Sequence, residues 1–399
     1  MAIPKRVKAR QKAARKKIAR PILLKLFAIC LASLVAWSVG EGLLFLLPAR
    51  NQMDNPWYLD VGGGTSAADE LPFERPPHLN WTGLSRGDLA FLAGDEDPYA
   101  RWITFKTDNE GFRNGRDMDK ADLVFLGDSY TEAGNIPEEE SYAYLVGQRL
   151  HLSARNLGRA GYCPPSELVV LNRYGLKGQP KTVIWQIAES NDLPGSLEFE
   201  NWVAAGRPPF LKNRIVGRAT RLEAWKQRSP GYRIFRFLRP AKPGTWNFGG
   251  TFKDTAGTSH PIRFFPLPSE AQNADRHPGW APFAQAIRQG SAICQKNNIR
   301  LIILLVPMKF RVMGETRTKL NDWTREWLAG YREIKKESTI AAHLEALCGE
   351  LGVSFVDATP LLRAHADQGE LVYLPFDTHL SPKGHTIIAD RLAEAIRVR

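Results

Sequence analysis

Two short segments far apart in the chain hold the residue types of a nucleophile and its base. One is Gly127-Asp128-Ser129-Tyr130-Thr131 and the other is Asp377-Thr378-His379-Leu380-Ser381-Pro382. A serine hydroxyl is a weak nucleophile until a neighbouring base takes its proton. His379 can be that base, and Asp377 can accept a hydrogen bond from its other ring nitrogen and fix the tautomer. His385 falls inside the last predicted helix and is less well placed. Attack on a carbonyl also creates an oxyanion, which needs N–H donors. Gly161, in Asn156-Leu157-Gly158-Arg159-Ala160-Gly161-Tyr162, can bring its backbone N–H close to the reacting carbon. Asn191, in Glu189-Ser190-Asn191-Asp192, can offer its side-chain amide. Each piece has a plainer reading alone: a Gly-Asp-Ser turn, a turn glycine, an N-cap asparagine. Together they describe acyl-ester chemistry. Cys30, Cys163, Cys294 and Cys348 have no zinc-like spacing, so no metal and no organic cofactor is implied. With Cys30 in the N-terminal apolar run, at most one disulfide can form beyond it, and buried free thiols are the default.

The elements that must position these residues follow from hydrophobic runs and their spacing. ADLVFLGDS is a short apolar run ending in glycine, as a buried parallel strand does. ARNLG, KTVIWQI, RLIILLV and VSFVDA read the same way. Between them lie helical patterns: EEESYAYLVGQRL, PSELVVLNRYGL, APFAQAIRQGSAICQKNN and TIAAHLEALCGELG, with SPKGHTIIADRLAEAIR at the end. Strands alternating with helices predict a parallel sheet with both faces covered, a three-layer α/β/α sandwich. Ser129 then sits at the carboxyl end of a strand, where open α/β sheets place their ligands. About 195–279 breaks the rhythm. It is rich in Arg, Pro and aromatics, with GTWNFGGTFKD a hairpin candidate, and reads as an insertion forming a lid, a substrate surface or a structural flap. A second insertion, ETRTKLNDWTREWLAGYREIKKE, precedes the penultimate helix.

The chain of 399 residues has 43% hydrophobic and 24% charged residues, ordinary for a folded protein. Its net charge of +12 suggests a nucleic-acid binder, but residues 1–50 hold eleven Lys/Arg against one acidic residue, which leaves the rest near neutral. No nucleic-acid partner is expected for the main domain. The basic residues 1–20 precede an apolar run at 22–47, long enough for the roughly 20 residues that a bilayer core requires. Retention of positive charge inside predicts a single-pass anchor in the cytoplasmic membrane, N-terminus inside and the remainder outside. Lys25 can snorkel, whereas Glu41 is costly unless protonated, paired or near the headgroups. A cleaved signal peptide is the rival reading. The predicted organisation is a basic tail at 1–20, an anchor at 21–48, a linker with irregular structure at 49–105, and a catalytic domain at 106–399.

The four blocks GDSYT, NLGRAGY, ESND and DTHLSPKGH resemble, in this order, those of the SGNH (GDSL-like) hydrolase family, over roughly residues 106–399. The TDNEGFRNG stretch is similar to one that precedes the serine block in membrane-anchored members. The resemblance implies Ser129 as nucleophile, Asp377 and His379 as its catalytic partners, and Gly161 and Asn191, with the Ser129 N–H, as the oxyanion hole. Two departures stand out. Glu189 occupies a position where the third block usually has glycine, and only Thr378 separates Asp377 from His379 where many family hydrolases have two residues. The shorter spacing and the VPMKFRV stretch resemble the alginate O-acetylation subgroup, whose members transfer acetyl groups to exported polysaccharides, often beside a membrane-bound O-acyltransferase. Three functions are therefore open. The first is an extracytoplasmic serine esterase, cleaving acylated glycans or lipid esters through an acyl-enzyme. The second is an O-acetyltransferase acting on a cell-surface polysaccharide, favoured if a long groove is lined by residues 202–246. The third is a non-catalytic binding module that keeps the fold.

Overall fold

The computed structural model describes residues 25, 27–40, 42–43, 70–93, 97–207, 248–265, 273–314, 317–330 and 339–398. The chain divides into two compact units, residues 1–50 with 213–240, and residues 51–212 with 241–399. In the first unit residues 27–40 are helical. Among the described residues no helix is long and apolar enough to cross a membrane. The basic tail, both ends of the expected anchor at 21–48, and residues 208–247 of the insertion lie outside the described residues.

The second unit opens with strand β1 (Asn80–Ser85), helix α1 (Asp88–Ala93) and strand β2 (Arg101–Lys106). β1 and β2 pair antiparallel. This pair falls within the stretch read from sequence as a linker with irregular structure. Its apolar alternation is short and flanked by prolines, yet Trp81, Ile103 and Phe105 bury together in a small cluster of their own.

Next in the chain come β3 (Leu123–Leu126), α2 (Ser129–Glu132), α3 (Tyr142–Leu150), β4 (Ala154–Asn156), α4 (Pro164–Val170), β5 (Thr182–Ala188) and α5 (Asp192–Ala204). They are followed by β6 (Gly249–Lys253), β7 (Ser259–Arg263), α6 (Trp280–Lys296), β8 (Arg300–Val306), α7 (Lys309–Met313), β9 (Thr318–Leu320), α8 (Asp322–Gly330), α9 (Thr339–Leu351), β10 (Ser354–Asp357), α10 (Thr359–Asp367) and α11 (Pro382–Arg397). The central sheet has the order β10-β8-β5-β3-β4 and is parallel throughout, so all five expected strands are present.

Side chains alternate across this sheet, as the pleat requires. Leu123, Phe125, Ile184, Ile302 and Leu304 face a core shared with α3, α10 and α11. Val124, Leu126, Val183, Trp185, Ile303 and Leu305 face a second core shared with α4, α6 and α9. These two covered faces make the α/β/α sandwich. A three-stranded antiparallel sheet, β7-β6-β9, joins the two insertions. β6 lies in the predicted hairpin segment, with β7 just beyond it. β9 is only three residues long and offered no pattern to read.

The direction of winding reverses between β3 and β5, because the chain passes from β3 out to β4 and then back to β5. In such sheets the crevice beyond the carboxyl ends at this switch point binds the ligand. Ser129 follows β3 and Asn191 follows β5.

Candidate active site

The turn out of β3 is tight. Gly127 has a φ of +150°, and a Cβ there would lie 2.2 Å from Thr131 Oγ1 and 2.4 Å from Gln186 Oε1, so only glycine fits. Asp128 then caps α2, its carboxylate accepting the Tyr130 N–H at 3.0 Å. Ser129 stands in the first turn of α2 and is buried, with 7% of its surface exposed.

The loop before α11 brings the other residues to it. Ser129 Oγ lies 2.8 Å from His379 Nε2, and His379 Nδ1 lies 2.5 Å from Asp377 Oδ1. The same carboxylate oxygen accepts the His379 backbone N–H at 2.8 Å. One intervening residue thus suffices, because a single oxygen holds both the backbone and the ring of the residue two positions on. Burial disfavours the imidazolium, but Asp377, then Asp88 and Asp128, outweigh it and lift His379 to about 9. Burial opposes the Asp377 carboxylate, yet His379 and its hydrogen bonds hold its pKa below the ordinary carboxylate value.

Asn191 is the N-cap of α5, but its side chain makes no cap bond. Its amide instead donates to Asp128 Oδ2 at 3.0 Å, and its carbonyl oxygen accepts from Ser190 Oγ at 2.8 Å. Asp128 Oδ2 is itself 3.4 Å from Ser129 Oγ, so Asn191 stands beside the serine. Gly161 has a φ of +84°, in the left-handed region that favours glycine, and its N–H makes no hydrogen bond among the described residues. Its block is drawn against α2, since a Cβ on Gly158 would lie 2.5 Å from Glu132 N. Ser129, His379 and Asp377 are therefore joined by direct contacts, with Asn191 beside them through Asp128, whereas the nearest side chain to Gly161 is that of Phe73. His385 is buried in α11, where its Nδ1 accepts the Tyr142 N–H at 3.2 Å, away from the serine.

Comparison with known proteins bears on the second half of this domain. The family model described as "SGNH hydrolase-like domain, acetyltransferase AlgX" matches residues 264–399. Over those residues the chain is similar to that SGNH hydrolase-like family. The matched stretch contains Asp377 and His379, while Ser129, Gly161 and Asn191 precede it. No curated protein sequence matches significantly. Solved structures with similarity include the acetyl xylan esterase AlAXEase, 14% identical over 69% of this chain and 98% of that chain, with a TM-score of 0.36. A GDSL-like lipase from Bacteroides thetaiotaomicron is 12% identical over 69% and 86%, with a TM-score of 0.34. A catalytic mutant of the acetylxylan esterase Axe2 from Geobacillus stearothermophilus is 13% identical over 71% and 98%, with a TM-score of 0.35. These likenesses are too distant to bear on activity.

The site contains groups that sequence reasoning missed. Tyr130 OH donates to Thr378 O at 3.1 Å, tying the serine turn to the histidine loop. Buried Lys309, in the VPMKFRV stretch, donates to the carbonyls of Leu374, Pro375 and Asp377 at 2.7, 2.8 and 3.0 Å. Burial pushes its ammonium down to about 7, against the pull of Asp377, Asp88 and Asp97. Glu189, where the family pattern has glycine, is buried and accepts from Met308 N at 3.0 Å and from Arg311 Nε at 2.6 Å. That departure thus links the third block to the VPMKFRV stretch. Asp88 lies 4.0 Å from His379 Nδ1. The donor atoms of Asp88, Asp377 and His379 lie within 4.8 Å of one another, close enough for a divalent cation. Here they are engaged in hydrogen bonds with one another and with Thr378.

Cys163, Cys294 and Cys348 are free thiols, and all three are buried. Burial raises Cys294 and Cys348 to about 12, which keeps them unreactive thiols.

Proposed function

We propose that this protein is a serine-dependent carboxylic-ester hydrolase, with Ser129 as nucleophile, His379 as base and Asp377 as the group that orients the base. The observation that supports it is the unbroken chain of contacts from Ser129 Oγ to His379 Nε2 at 2.8 Å and from His379 Nδ1 to Asp377 at 2.5 Å. As Ser129 Oγ bonds to the acyl carbon, its proton passes to His379 Nε2 and the carbonyl electron pair moves to oxygen. The Ser129 and Gly161 N–H groups and the Asn191 amide receive that oxyanion. Collapse expels the alcohol, which takes the proton from His379. Water repeats the sequence on the acyl-enzyme and releases the acid. The substrates on this reading are acylated glycans or lipid esters. The N-terminal segment would anchor the protein, with the site outside the cytoplasmic membrane.

A second reading has a specific observation in its favour. The AlgX-type match covers the Asp377–His379 loop and the VPMKFRV stretch. On this reading a polysaccharide hydroxyl replaces water in the second half-reaction, and a membrane-bound O-acyltransferase is the natural acyl-supplying partner. A binding module without catalysis is disfavoured, because such a module has no need to hold Ser129 within hydrogen-bond reach of a histidine.

The test is to treat the full chain and Ser129→Ala with a fluorophosphonate probe and p-nitrophenyl acetate. Labelling and acetate release by the unaltered protein alone are expected, and acetylated product on an added glycan acceptor would favour transfer. Turnover retained by Ser129→Ala would refute the nucleophile.

A further inference from the structure

A carboxylate beside His379 that the proposed mechanism leaves without a role is Asp88, at the start of α1 in the segment that precedes the sandwich. Its Oδ1 accepts the Thr378 backbone N–H at 2.8 Å and its Oδ2 accepts the Thr378 hydroxyl at 2.5 Å. Its own N–H donates to Asp377 Oδ2 at 3.2 Å. The next two backbone N–H groups of α1, those of Leu89 and Ala90, both donate to Phe376 O at 3.1 Å. The approach is close, since a Cβ on Gly87 would lie 2.1 Å from Phe376 O. Residues 87–90 therefore grip residues 376–378 from one side, while Lys309 holds the same loop through three of its carbonyls. Gripping by backbone alone requires no carboxylate at position 88. The side chain takes up the two donors of the one residue that spaces Asp377 from His379, and its Oδ2 comes within 4.0 Å of the ring nitrogen.

We propose that Asp88 is a second carboxylate of the active site, a positioning residue that clamps Thr378 and, with Asp377, brackets the His379 ring. The proposal rests on the nucleophile and base assigned above. Its clamp keeps Thr378 from turning, so that Asp377 Oδ1 retains both the backbone and the ring of His379. Its charge favours the imidazolium that forms when Ser129 Oγ loses its proton. The side chain is 32% exposed, which screens that charge in part. The ionisable groups facing His379 are Asp377, Asp88, Asp128 and the phenol of Tyr130, whose ring lies 5.1 Å away. Behind them stand Lys309, which pulls against Asp88 and Asp377, and His385 in α11. Asp88 itself is raised to about 6, by burial and by Asp377, so it is charged over the range in which His379 works.

The experiment measures kcat/KM of the full chain for p-nitrophenyl acetate from about pH 5 to pH 10, with Ser129→Ala as the unlabelled control. Removing one charge at this distance should lower the His379 pKa by about one unit. Asp88→Asn should therefore move the acid limb of the profile down by about one pH unit and lower kcat. Thr378→Val, which keeps the charge and loses one clamp bond, should lower kcat several-fold with the limb in place. Should Asp88→Asn not fold, Asp88→Glu and Thr378→Val carry the test, and unaltered kcat in both overturns the clamp. If the unaltered protein is labelled and Asp88→Asn shows an unmoved limb, the role of Asp88 alone is overturned. If the unaltered protein is not labelled, the nucleophile assignment falls and takes this one with it.

Discussion

Replacing Asp377 by Asn sets two effects of opposite sign against each other, and their sizes decide which is seen. Asp377 Oδ1 holds His379 Nδ1 at 2.5 Å, and the acidic surroundings keep the imidazole near 9 against an ordinary 6.5. If the whole shift were lost, the neutral fraction at pH 7 would rise from about 1% to about 75%, a gain of almost two orders of magnitude in active base. A base weaker by that amount returns roughly 10- to 20-fold of the gain through Brønsted dependence. The net benefit of the lost charge is thus only several-fold. Against it stands the tautomer. An asparagine can turn its NH2 toward Nδ1, which places the ring proton on Nε2, where it cannot accept from Ser129 Oγ at 2.8 Å. In the serine-protease template the same exchange lowers kcat by about 10⁴, about 5.5 kcal/mol.

Asp377→Asn should therefore turn over p-nitrophenyl acetate about 10³-fold more slowly at pH 7, with KM changed little. The unaltered enzyme should become faster as pH rises from 7 toward 9, because only the neutral ring accepts the serine proton. Both follow from steady-state rates at the two pH values. Equal or faster turnover by Asp377→Asn at pH 7 would show that charge is the only contribution of this carboxylate, and that something else sets the tautomer.

Two further changes probe the frame around the site. Glu132 is buried between Arg75 Nε at 2.9 Å and Arg159 Nη1 at 3.2 Å, so Glu132→Gln leaves two guanidinium groups facing a neutral amide and should destabilise the fold by about 3–5 kcal/mol in urea denaturation. Burial opposes the Glu132 carboxylate, but the two arginines hold it down to about 2 from an ordinary 4.5. Its contribution is present above pH 4.5 and fades as pH falls toward 2, so the difference between the two proteins should shrink over that window. Gly127→Ala must push Thr131 Oγ1 and Gln186 Oε1 aside. It should abolish fluorophosphonate labelling and cost about 2 kcal/mol or more, and labelling at the unaltered rate would show that the turn yields.

The five strands of the sandwich were legible because each is an apolar run closed by polar or glycine residues. The blocks carrying Ser129, Gly161, Asn191 and Asp377–His379 were legible because each has a local signature next to such a run. Asp88 had none. It stands in Ser85-Arg86-Gly87-Asp88, amid proline, glycine and acidic residues that read as connecting chain, and its partner Thr378 lies 290 positions away. Periodicity reports which face of an element is buried, and is silent on which distant loop lies against it. Lys309 was hidden for another reason. Lysine is rarely buried, and a lysine in Val306-Pro307-Met308-Lys309 reads as a surface charge until the three carbonyls that accept its hydrogen bonds are seen.

Asp88 and Arg75 change where the boundary of the domain that holds the candidate site is drawn. A boundary drawn at residue 106 encloses every residue with a motif, yet it separates Asp88 from the loop it grips and Arg75 from Glu132. Arg75 and Arg113 also stand over the Phe105 ring at 4.7 and 5.0 Å. Arg113 reaches back to the Ile136 carbonyl at 2.6 Å, just beyond the serine helix. The stretch from residue 70 to residue 115 therefore touches both halves of the proposed site: the serine turn through Glu132, and the histidine loop through Asp88. The parallel sheet supplies the crevice and the turn that carries Ser129. The relative position of serine and histidine, on which a 2.8 Å contact depends, is held jointly by the sandwich and by the segment in front of it.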